Sequence, residues 1–273
     1  MTSTLFSVLM PTYGGDDLEL FEKALNSVFF SELMPDEVIV AVDGPISKKH
    51  EDILSTYSLQ YSFMKIVKLP TNQGLAMNLN NGLLHCQHEV VIRCDADDYN
   101  TPSRFSKLRA EFDVEVKVDV VSSYILEQSQ SSKLANAIKR VPLTHIEIKR
   151  YAKYRNPINH MAAAYRKSSI INVGGYPDIP FREDYGLWLK MLSHGHRFKN
   201  LDEVLVIADT GDEMLKRRSG IKHVAAELKL LRLRRSISKL SIDDYLIFVM
   251  RAIVILTPHS SKRLLYFFTR KIT

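Results

Sequence analysis

The sequence is poor in cysteine and tryptophan, with two cysteines and one tryptophan among its 273 residues. Cys86 and Cys94 lack the spacing of zinc ligands, which excludes the common cysteine-based metal sites. Both lie in apolar segments of the chain. We therefore predict reduced thiols buried in the core of a cytosolic protein, and not the disulfide framework of a secreted one.

Long hydrophobic runs and an export signal are also missing. The N-terminus opens directly into an apolar strand pattern, without the basic region and apolar segment of a signal peptide, so we expect no export. The apolar run at 245–256 is interrupted by Arg251 and is shorter than the about 20 residues that cross a bilayer. With 45% hydrophobic and 25% charged residues, the chain is expected to be globular with a large core.

Positive charge is concentrated at one end of the chain. Residues 216–273 contain 14 Lys or Arg against three Asp or Glu, a net charge of +11, which leaves −5 for residues 1–215. A cationic segment interleaved with aliphatic and aromatic residues is typical of proteins that bind phosphate groups. Those groups belong either to a nucleic acid or to an anionic lipid surface.

Apolar runs rich in β-branched residues alternate with helical patterns in the first half of the chain. One helix is predicted after Asp16 or Asp17, and another over residues 74–85, where leucines recur every four residues. Such alternation is typical of α/β proteins with a parallel sheet covered by helices on both faces. Residues 1–120 are thus expected to form a nucleotide-binding half with strands at 6–10, 37–42, 64–69, 89–94 and 118–122.

The pattern weakens over residues 123–156, which we interpret as a partly helical crossover. It strengthens again through a Gly-Gly-Tyr-Pro turn at 174–177 and a strand at 204–208. We expect residues 121–215 to complete one domain and residues 216–273 to form a basic helical extension.

Three carboxylates follow one of the predicted buried strands directly. The tetrad Asp95-Ala96-Asp97-Asp98 comes after the apolar run at 89–94, at the strand's C-terminal end. Ligands of open α/β sheets collect outside the carboxyl ends of the strands. Closely spaced oxygen ligands suit Mg²⁺ or Mn²⁺, which in turn neutralise the oxygens of a diphosphate. An acidic surface turn is the alternative interpretation.

Loops after other predicted strands carry residues that suit a nucleotide. Thr12 and Tyr13 follow the first strand behind Pro11, which stiffens the chain, so that a hydroxyl and a ring can face a nucleoside. Asp43 follows the second strand and can accept a hydrogen bond from a base or a ribose. The segment at 72–82 opens a helix whose N-terminal amides can support an anion. Each loop alone is more typical of an ordinary turn, and only their combination indicates a site.

A second acidic pair, Glu183-Asp184, lies far along the chain beside Phe181, Tyr185 and Trp188. One carboxylate of such a pair can act as a general base while the ring faces hold a sugar. The alternative is a helix start, where the helix dipole favours acidic residues.

Six segments carry a recognisable combination of motifs in a fixed order. They are SVLMPTY at 7–13, EVIVAVDG at 37–44, NQGLAMNLNNGL at 72–83, DADDYNTPSRF at 95–105, NPINHMAAAYRKS at 156–168 and GGYPDIPFREDYGLW at 174–188. Together they resemble a family 2 glycosyltransferase with the GT-A fold, an α/β fold with a Rossmann-like, mostly parallel central sheet flanked by helices. More closely, the chain resembles bacterial enzymes that build O-antigen, capsule or exopolysaccharide repeat units.

This resemblance implies a nucleoside site and a metal site. Gly74 and Asn80 match the glycine and asparagine of the family's third motif, and the residues that match the nucleoside contacts, usually to uridine, are Pro11, Thr12, Tyr13 and Asp43. Asp95-Ala96-Asp97 matches the DxD motif. In that motif the first carboxylate faces the ribose or the metal shell, and the last binds Mg²⁺ or Mn²⁺ directly. Asp98 is expected only to order the loop.

The resemblance also implies a reaction. Asp184 matches the aspartate that deprotonates the acceptor, and Glu183 is expected to position the acceptor. The reaction is then a single inverting displacement that forms a β linkage from a donor expected to be UDP-linked. The expected acceptor is a hydroxyl of an undecaprenyl-diphosphate-linked saccharide.

One part of the family pattern is missing. Many relatives have a tyrosine and an arginine after the strand at 204–208, where this chain has Ala-Asp-Thr at 208–210. Arg217 and Arg218 could instead close over the diphosphate as part of a lid, and a solvated charge run is the alternative.

The basic extension is expected to lie in a membrane interface. Its cations would contact lipid phosphates and its apolar side chains would lie below them, which suits a peripheral protein on the inner face of the cell membrane. Packing of the same helices on the catalytic domain or on a second subunit is the alternative.

Two other functions would each account for part of the sequence. A sugar nucleotidyltransferase would need a Gly-rich, basic phosphate loop after the first strand, and residues 11–15 contain no basic residue. A non-enzymatic nucleic-acid-binding protein would explain the basic extension but would leave both acidic clusters unused, so no nucleic-acid partner is expected.

Overall fold

The computed structural model describes residues 4–114, 117–128, 136–209 and 220–257, and these form a nine-stranded central sheet with helices around it. The sheet order is β3-β2-β1-β4-β8-β6-β9-β5, with β7 paired to β6. The strands are β1 Phe6–Tyr13, β2 Glu37–Asp43, β3 Met64–Leu69, β4 Val90–Arg93, β5 Asp98–Asn100, β6 Val120–Gln128, β7 Ala137–Lys139, β8 Ala164–Arg166 and β9 Phe198–Asp209.

The first four strands form the predicted parallel half. Each pair among β3, β2, β1 and β4 is parallel, and the connections are α1 Leu18–Phe29, α2 Lys48–Gln60 and α3 Leu75–His85. Every residue of β2 is buried, as are all residues of β1 except Tyr13, because helices cover both faces of the sheet. Asp17 is the residue that caps α1, since its carboxylate accepts from the amides of Glu19 and Leu20.

The second half of the sheet is mixed. Strands β6 and β9 run in the same direction as the first four, whereas β5, β7 and β8 are reversed. The prediction of a mostly parallel sheet is therefore confirmed. The strand predicted at 204–208 is the last part of β9, and the predicted crossover after residue 123 contains the rest of β6, β7 and one helix.

The remaining helices lie mainly in the second half of the chain. They are α4 Arg104–Ala110, α5 His145–Tyr151, α6 Lys167–Asn172, α7 Glu183–Ser193, α8 Ile221–Ile237 and α9 Ile242–Leu256, with a 3-10 turn at His160–Ala162. None of the helices in these described ranges combines the length and apolarity needed to cross a bilayer.

Two apolar cores lie on opposite faces of the sheet, as the two-residue period of a strand requires. Val8 and Met10 of β1 pack under α1, while Leu9 packs on the other face with α3 and α7. Cys86 and Cys94 are buried free thiols, which confirms their predicted state. Burial raises the pKa of Cys86 to about 12, so this thiol is unreactive at neutral pH.

Helix α8 packs directly on α7 and joins the core beneath the sheet. Its Ala226 and Leu230 belong to the same core as Trp188 of α7. The alternative considered for the basic extension, packing on the protein, therefore holds for this inner face. Contact of the outer face with a membrane stays a prediction, as does the domain boundary at residue 215.

Candidate active site

The acidic tetrad lies where β4 ends and β5 begins. One carboxylate oxygen from each of Asp95, Asp97 and Asp98 lies within 4.8 Å of the other two. Asp98 is buried, Asp95 is half-buried and Asp97 is exposed. Strand β5 pairs with the end of β9, with Asp98 opposite Ala208. The three carboxylates thus form one cluster, and they include Asp98, which sequence reasoning assigned only to ordering the loop.

Arg93 orients this cluster from within the sheet. It is buried in β4, and its guanidinium contacts both carboxylate oxygens of Asp95 in a bidentate ion pair. Two main-chain carbonyls around the loop, those of Arg93 and Met161, accept from the fully buried Arg104. Asp95 therefore has a fixed orientation and a compensating charge.

Asp97 is more exposed to solvent than Asp95, although much protein surrounds its carboxylate. The surrounding protein, followed by the negative charges of Asp95 and Asp16, raises the pKa of Asp97 to about 6, although Arg93 partly offsets this. A group of three oxygen ligands with excess negative charge fits a hard divalent cation such as Mg²⁺ or Mn²⁺. Asp97 is the most accessible ligand of the three.

The loop after β1 approaches the same cluster. The Thr12 hydroxyl is buried, donates to Asp16 Oδ2 at 2.7 Å and lies 3.1 Å from His50 Nε2. The Tyr13 amide donates to the same Asp16 oxygen at 3.0 Å, and the Tyr13 side chain is 43% exposed. Thr12 and the buried Pro11 therefore order this loop from within, and Tyr13 is the residue of the motif that a ligand can reach.

The loops after β2 and β3 are joined by Asp43. Its buried carboxylate accepts from the amides of Gln73 and Gly74 at 2.7 and 2.9 Å. Gly44 and Gly74 both have positive φ angles, of +79° and +88°, which favour glycine. This arrangement fixes the start of α3, and a contact of Asp43 with a nucleoside stays a prediction.

Asn80 connects the third motif to the Gly-Gly-Tyr-Pro turn. Its side-chain oxygen accepts from the Tyr176 amide at 2.8 Å, and its nitrogen donates to the Tyr176 carbonyl at 2.9 Å. The Tyr176 hydroxyl in turn lies 3.0 Å from Nε2 of the buried His160. Asn80 therefore positions the segment that leads to the second acidic pair.

The second acidic pair begins α7. Asp184 accepts from Asn156 Nδ2 at 2.6 Å through Oδ2, and from the Tyr185 amide at 2.7 Å through Oδ1. Burial and the neighbouring charge of Asp184 raise the pKa of Glu183 to about 7. Both carboxylates are half-buried, and both are candidates for a general base near neutral pH.

The prediction that aromatic rings beside this pair hold a sugar is wrong for two of them. Trp188 is 0% and Tyr185 2% exposed, because α7 is covered by the sheet on one side and by α8 on the other. Only Phe181, which is 48% exposed, offers an accessible ring.

Arg93 interacts electrostatically with both acidic clusters. Its positive charge lowers the pKa of Asp97 and also that of Glu183, in each case against the larger raising effect of burial. A single guanidinium thus acts on carboxylates that are far apart in sequence.

An open pocket of about 500 Å³ lies elsewhere, and no residue of the two acidic clusters lines it. Its walls come from β6, α5 and the segments next to them, at Tyr124, Val141, Pro142, Leu143, Glu147, Arg150, Tyr151 and Tyr154. Arg217 and Arg218, predicted to form a lid, lie outside the described residues.

Sequence reasoning missed three residues that organise the site. Arg93 is a charged residue inside an apolar run, and such a residue is buried only with a partner. Asn156 was noted only as the start of a motif, and Asp16 only as a possible helix cap. The signal for Arg93 was present, whereas the roles of the other two depend on contacts across the fold.

The mostly parallel sheet with helices on both faces is the GT-A fold, which solved glycosyltransferase structures share. Residues 7–174 match the sequence profile described as glycosyl transferase family 2, and the chain belongs to this family.

Two relatives are similar over nearly their whole length. An amylovoran biosynthesis glycosyltransferase, AmsE of Erwinia amylovora, is 33% identical over 98% of this chain and 100% of its own. A UDP-Gal:alpha-D-GlcNAc-diphosphoundecaprenol beta-1,3-galactosyltransferase of Escherichia coli is 35% identical over 96% of this chain and 94% of its own.

Solved structures share the fold at low sequence identity. S. aureus TarS 1-349 in complex with UDP-GlcNAc has a TM-score of 0.67 and 20% identity, over 92% of this chain and 73% of its own. The mannosyltransferase PcManGT from Pyrobaculum calidifontis, in complex with GDP-Man and Mn²⁺, has a TM-score of 0.65 and 16% identity, over 92% of this chain and 69% of its own.

Proposed function

We propose that this chain is an inverting, metal-dependent glycosyltransferase of surface-polysaccharide assembly. It transfers a sugar from a UDP-linked donor to a hydroxyl of a saccharide carried on a lipid diphosphate, and it forms a β linkage. The observation that carries this proposal is the cluster of three carboxylates at the strand ends, together with a second acidic pair that interacts electrostatically with the same Arg93. A displacement needs these two groups on opposite sides of one reacting carbon.

The first cluster serves the leaving group. Asp97, with Asp95 and Asp98, would hold a divalent cation, which when bound acts as a Lewis acid on the departing diphosphate. Arg93 keeps the Asp95 carboxylate in one orientation. Tyr13 is the accessible residue of the first loop and would contact the nucleoside.

The second cluster serves the acceptor. Asp184 removes the proton from the acceptor hydroxyl as its oxygen attacks the anomeric carbon and the bond from that carbon to the diphosphate oxygen breaks. The Asn156 hydrogen bond holds Oδ2 of Asp184, which leaves the remaining lone pairs of the carboxylate to face the acceptor. Glu183 lies next to it and positions the acceptor hydroxyl.

The choice of substrates rests on the relatives. The Escherichia coli relative is named for a UDP-Gal donor and a diphosphoundecaprenol-linked acceptor, and it matches 96% of this chain. TarS binds UDP-GlcNAc on the same fold. These relatives support a UDP-sugar donor and a lipid-diphosphate acceptor for this chain.

A peripheral position on the inner membrane surface fits this acceptor. Helix α9 has an outer apolar face, with Leu246, Met250 and Ile253 each between 57% and 63% exposed. With Lys and Arg in excess in this part of the chain, the helix suits the interface of an anionic bilayer.

A donor-panel assay tests the proposal. The chain is incubated with nucleotide sugars and a synthetic undecaprenyl-diphosphate monosaccharide, with and without Mn²⁺, and release of nucleoside diphosphate and formation of the disaccharide lipid are measured. Disaccharide formed only with a UDP-sugar and a divalent cation is expected. Release of pyrophosphate would instead indicate a nucleotidyltransferase, and no turnover with any donor would contradict the proposal.

A further inference from the structure

Glu227 is a buried acid in the basic C-terminal part of the chain. It lies on α8 with 3% exposure and accepts hydrogen bonds from two arginines. Arg182 donates to it through Nε at 2.6 Å, and Arg251 donates from α9 at 3.0 Å. These three residues form an ion triad, named here the α8 triad, that joins three separate segments of the chain.

Each arginine of the α8 triad is connected to a segment that carries or contacts the proposed base, Asp184. Arg182 directly precedes Glu183 and Asp184 and is the N-terminal flanking residue of α7. Arg251 donates to the main-chain carbonyl of Tyr154, two residues before the Asn156 that binds Asp184. The triad therefore contacts both segments that meet at the Asp184 carboxylate.

Further contacts fix the same two segments to each other. The Arg251 guanidinium lies 5.4 Å from the centroid of the Tyr185 ring, and the Tyr185 hydroxyl donates to the Ala152 carbonyl at 2.7 Å. Phe181 has a positive φ of 67° and stacks on His223 of α8 with 4.0 Å between ring centroids. A non-glycine residue in this conformation persists only where its surroundings hold it.

Packing alone does not require this arrangement. Apolar side chains of similar volume attach helices at lower desolvation cost, and a buried ion pair contributes orientation more than net stability. The rest of the α7–α8 contact is indeed apolar, with Leu233 of α8 lying against Gly186 of α7. Charged contacts of α8 also occur at Lys229 with Asp178 and at Arg234 with the Lys153 carbonyl, but Glu227 is the buried acid whose arginine partners lie beside the segments of Asp184 and Asn156.

We propose that Arg182, Glu227 and Arg251 are positioning residues that set the orientation of Asp184 and Glu183 toward the acceptor. This inference rests on the proposed function, because it takes the acidic pair as the acceptor site. It makes α8 and α9 part of the catalytic unit, whether or not their outer faces contact a membrane.

The test separates acceptor chemistry from donor binding. Arg251→Met removes one of the two ion pairs of the α8 triad. Arg235→Met, at an exposed arginine of α8, is the matched control. For Arg251→Met we expect kcat to fall about 10-fold or more, with UDP affinity in the presence of Mn²⁺ within about 2-fold of the parent, because small misplacements of a catalytic group reduce rates steeply. Arg235→Met is expected to keep both values.

Two further measurements distinguish orientation from general stability. Arg251→Lys retains the charge and is expected to recover part of kcat. Hydrogen exchange of the peptide covering residues 181–192 needs no substrate, and it is expected to be faster in Arg251→Met and in Glu227→Gln than in the control.

Unchanged kcat in both Arg251→Met and Glu227→Gln would overturn the inference. A parallel fall of kcat, UDP affinity and thermal midpoint, without recovery in Arg251→Lys, would also overturn it, because the triad would then be only structural. Inactivity of the parent chain on the whole donor panel would instead contradict the proposed function, so the two failures are distinguishable.

Discussion

Asn156 donates a hydrogen bond to Asp184 at 2.6 Å across 28 positions of sequence. Asn156 lies in the segment between α5 and the 3-10 turn, and Asp184 lies in the first turn of α7, so the contact joins two parts of the acceptor half. It holds one oxygen of the carboxylate while the Tyr185 amide holds the other. The orientation of the proposed base is thus set by its surroundings before any substrate binds.

Replacement of Asn156 tests this relationship. Asn156→Ala is expected to lower kcat about 10-fold, since the carboxylate gains rotational freedom, and to leave the donor KM near its original value. Steady-state kinetics with the lipid-linked acceptor measure both constants. Asn172→Ala removes an exposed amide and is the control. A donor KM that rises while kcat stays constant would contradict a role in orienting the base.

Replacement of the proposed base itself should have a larger effect. Asp184→Asn keeps the shape of the side chain, but it replaces one of the two accepting oxygens with a donor and cannot take a proton, so we expect a loss of about 10²–10⁴-fold in kcat. The loss of kcat in Glu183→Gln is expected to be smaller. Single-turnover assays at saturating donor measure the chemical step. If folded Asp184→Asn has near-normal turnover and Glu183→Gln is inactive, Glu183 is the general base and Asp184 is not.

Asp97 is expected to be essential for the divalent cation. Asp97→Asn removes the most accessible ligand of the cluster, and a loss of about 10²-fold or more in activity is expected because the leaving diphosphate loses Lewis-acid assistance. Calorimetric titration should show that Mn²⁺ and UDP bind more weakly to this variant than to the parent chain. Asp52→Asn, on an exposed carboxylate of α2, is the matched control. Equal Mn²⁺ affinity in both variants would argue against a metal site at the tetrad.

The raised pKa of Glu183 predicts how stability depends on pH. The pKa moves from the ordinary value of 4.5 to about 7 in the folded state, mainly through burial, so between these pH values the folded protein binds more protons than the unfolded chain. The stabilising contribution of the protonated group is complete below pH 4.5 and is lost as pH rises through about 7.

Glu183→Gln removes this dependence. Relative to the parent chain, the variant is expected to gain about 3 kcal/mol in free energy of unfolding between pH 4.5 and pH 8, measured by urea denaturation. Glu19→Gln changes an exposed acid in the first turn of α1 and should show no such gain. A parallel pH dependence in the parent and Glu183→Gln would show that Glu183 is not responsible.

Asn80 packs closely on the turn at 174–177, so substitution of Gly175 in this turn should be more destabilising than the same substitution of Gly195, which serves as the control. Gly175 has a φ of +68°, and a Cβ there would lie 2.5 Å from Asn80 Oδ1, whereas Gly195 has a φ of +82° with no atom within 4 Å of its Cβ position. Gly195→Ala should therefore cost only the backbone strain, about 1 kcal/mol, and Gly175→Ala at least about 1 kcal/mol more. Urea unfolding measures the difference, and equal values would contradict the close packing at Asn80.

The sequence was sufficient to predict the first half of the fold. Continuous apolar runs separated by helical periods predicted β1 to β4 and the helices α1 and α3, because burial on both faces of a parallel sheet leaves a local pattern. Helix α2 was not predicted. The same logic placed Asp95 and Asp97 at a strand end. The second half was less readable, since β5, β7 and β8 are three residues each and β6 continues into a polar segment.

The residues of the candidate site were also predicted only in part. Residue types that bind metals or remove protons can be read from short motifs, and Asp97, Glu183 and Asp184 were found by that means. The surroundings of a motif cannot be read so directly. Thr12 was expected to face a nucleoside, yet its hydroxyl is buried against Asp16, and Tyr185 and Trp188 are in the core.

The sequence by itself determined the class of fold, the order of the motifs and the chemical identity of the acidic groups, because these depend on residue types and on periodicities within a few residues. Only the tertiary structure decided that Arg93 pairs with Asp95 and interacts electrostatically with both acidic clusters, and that Arg182, Glu227 and Arg251 join the C-terminal helices to the acidic pair. Ion pairs between distant segments leave no local pattern. They form only where the packing of the apolar cores brings the partners together and excludes water from them.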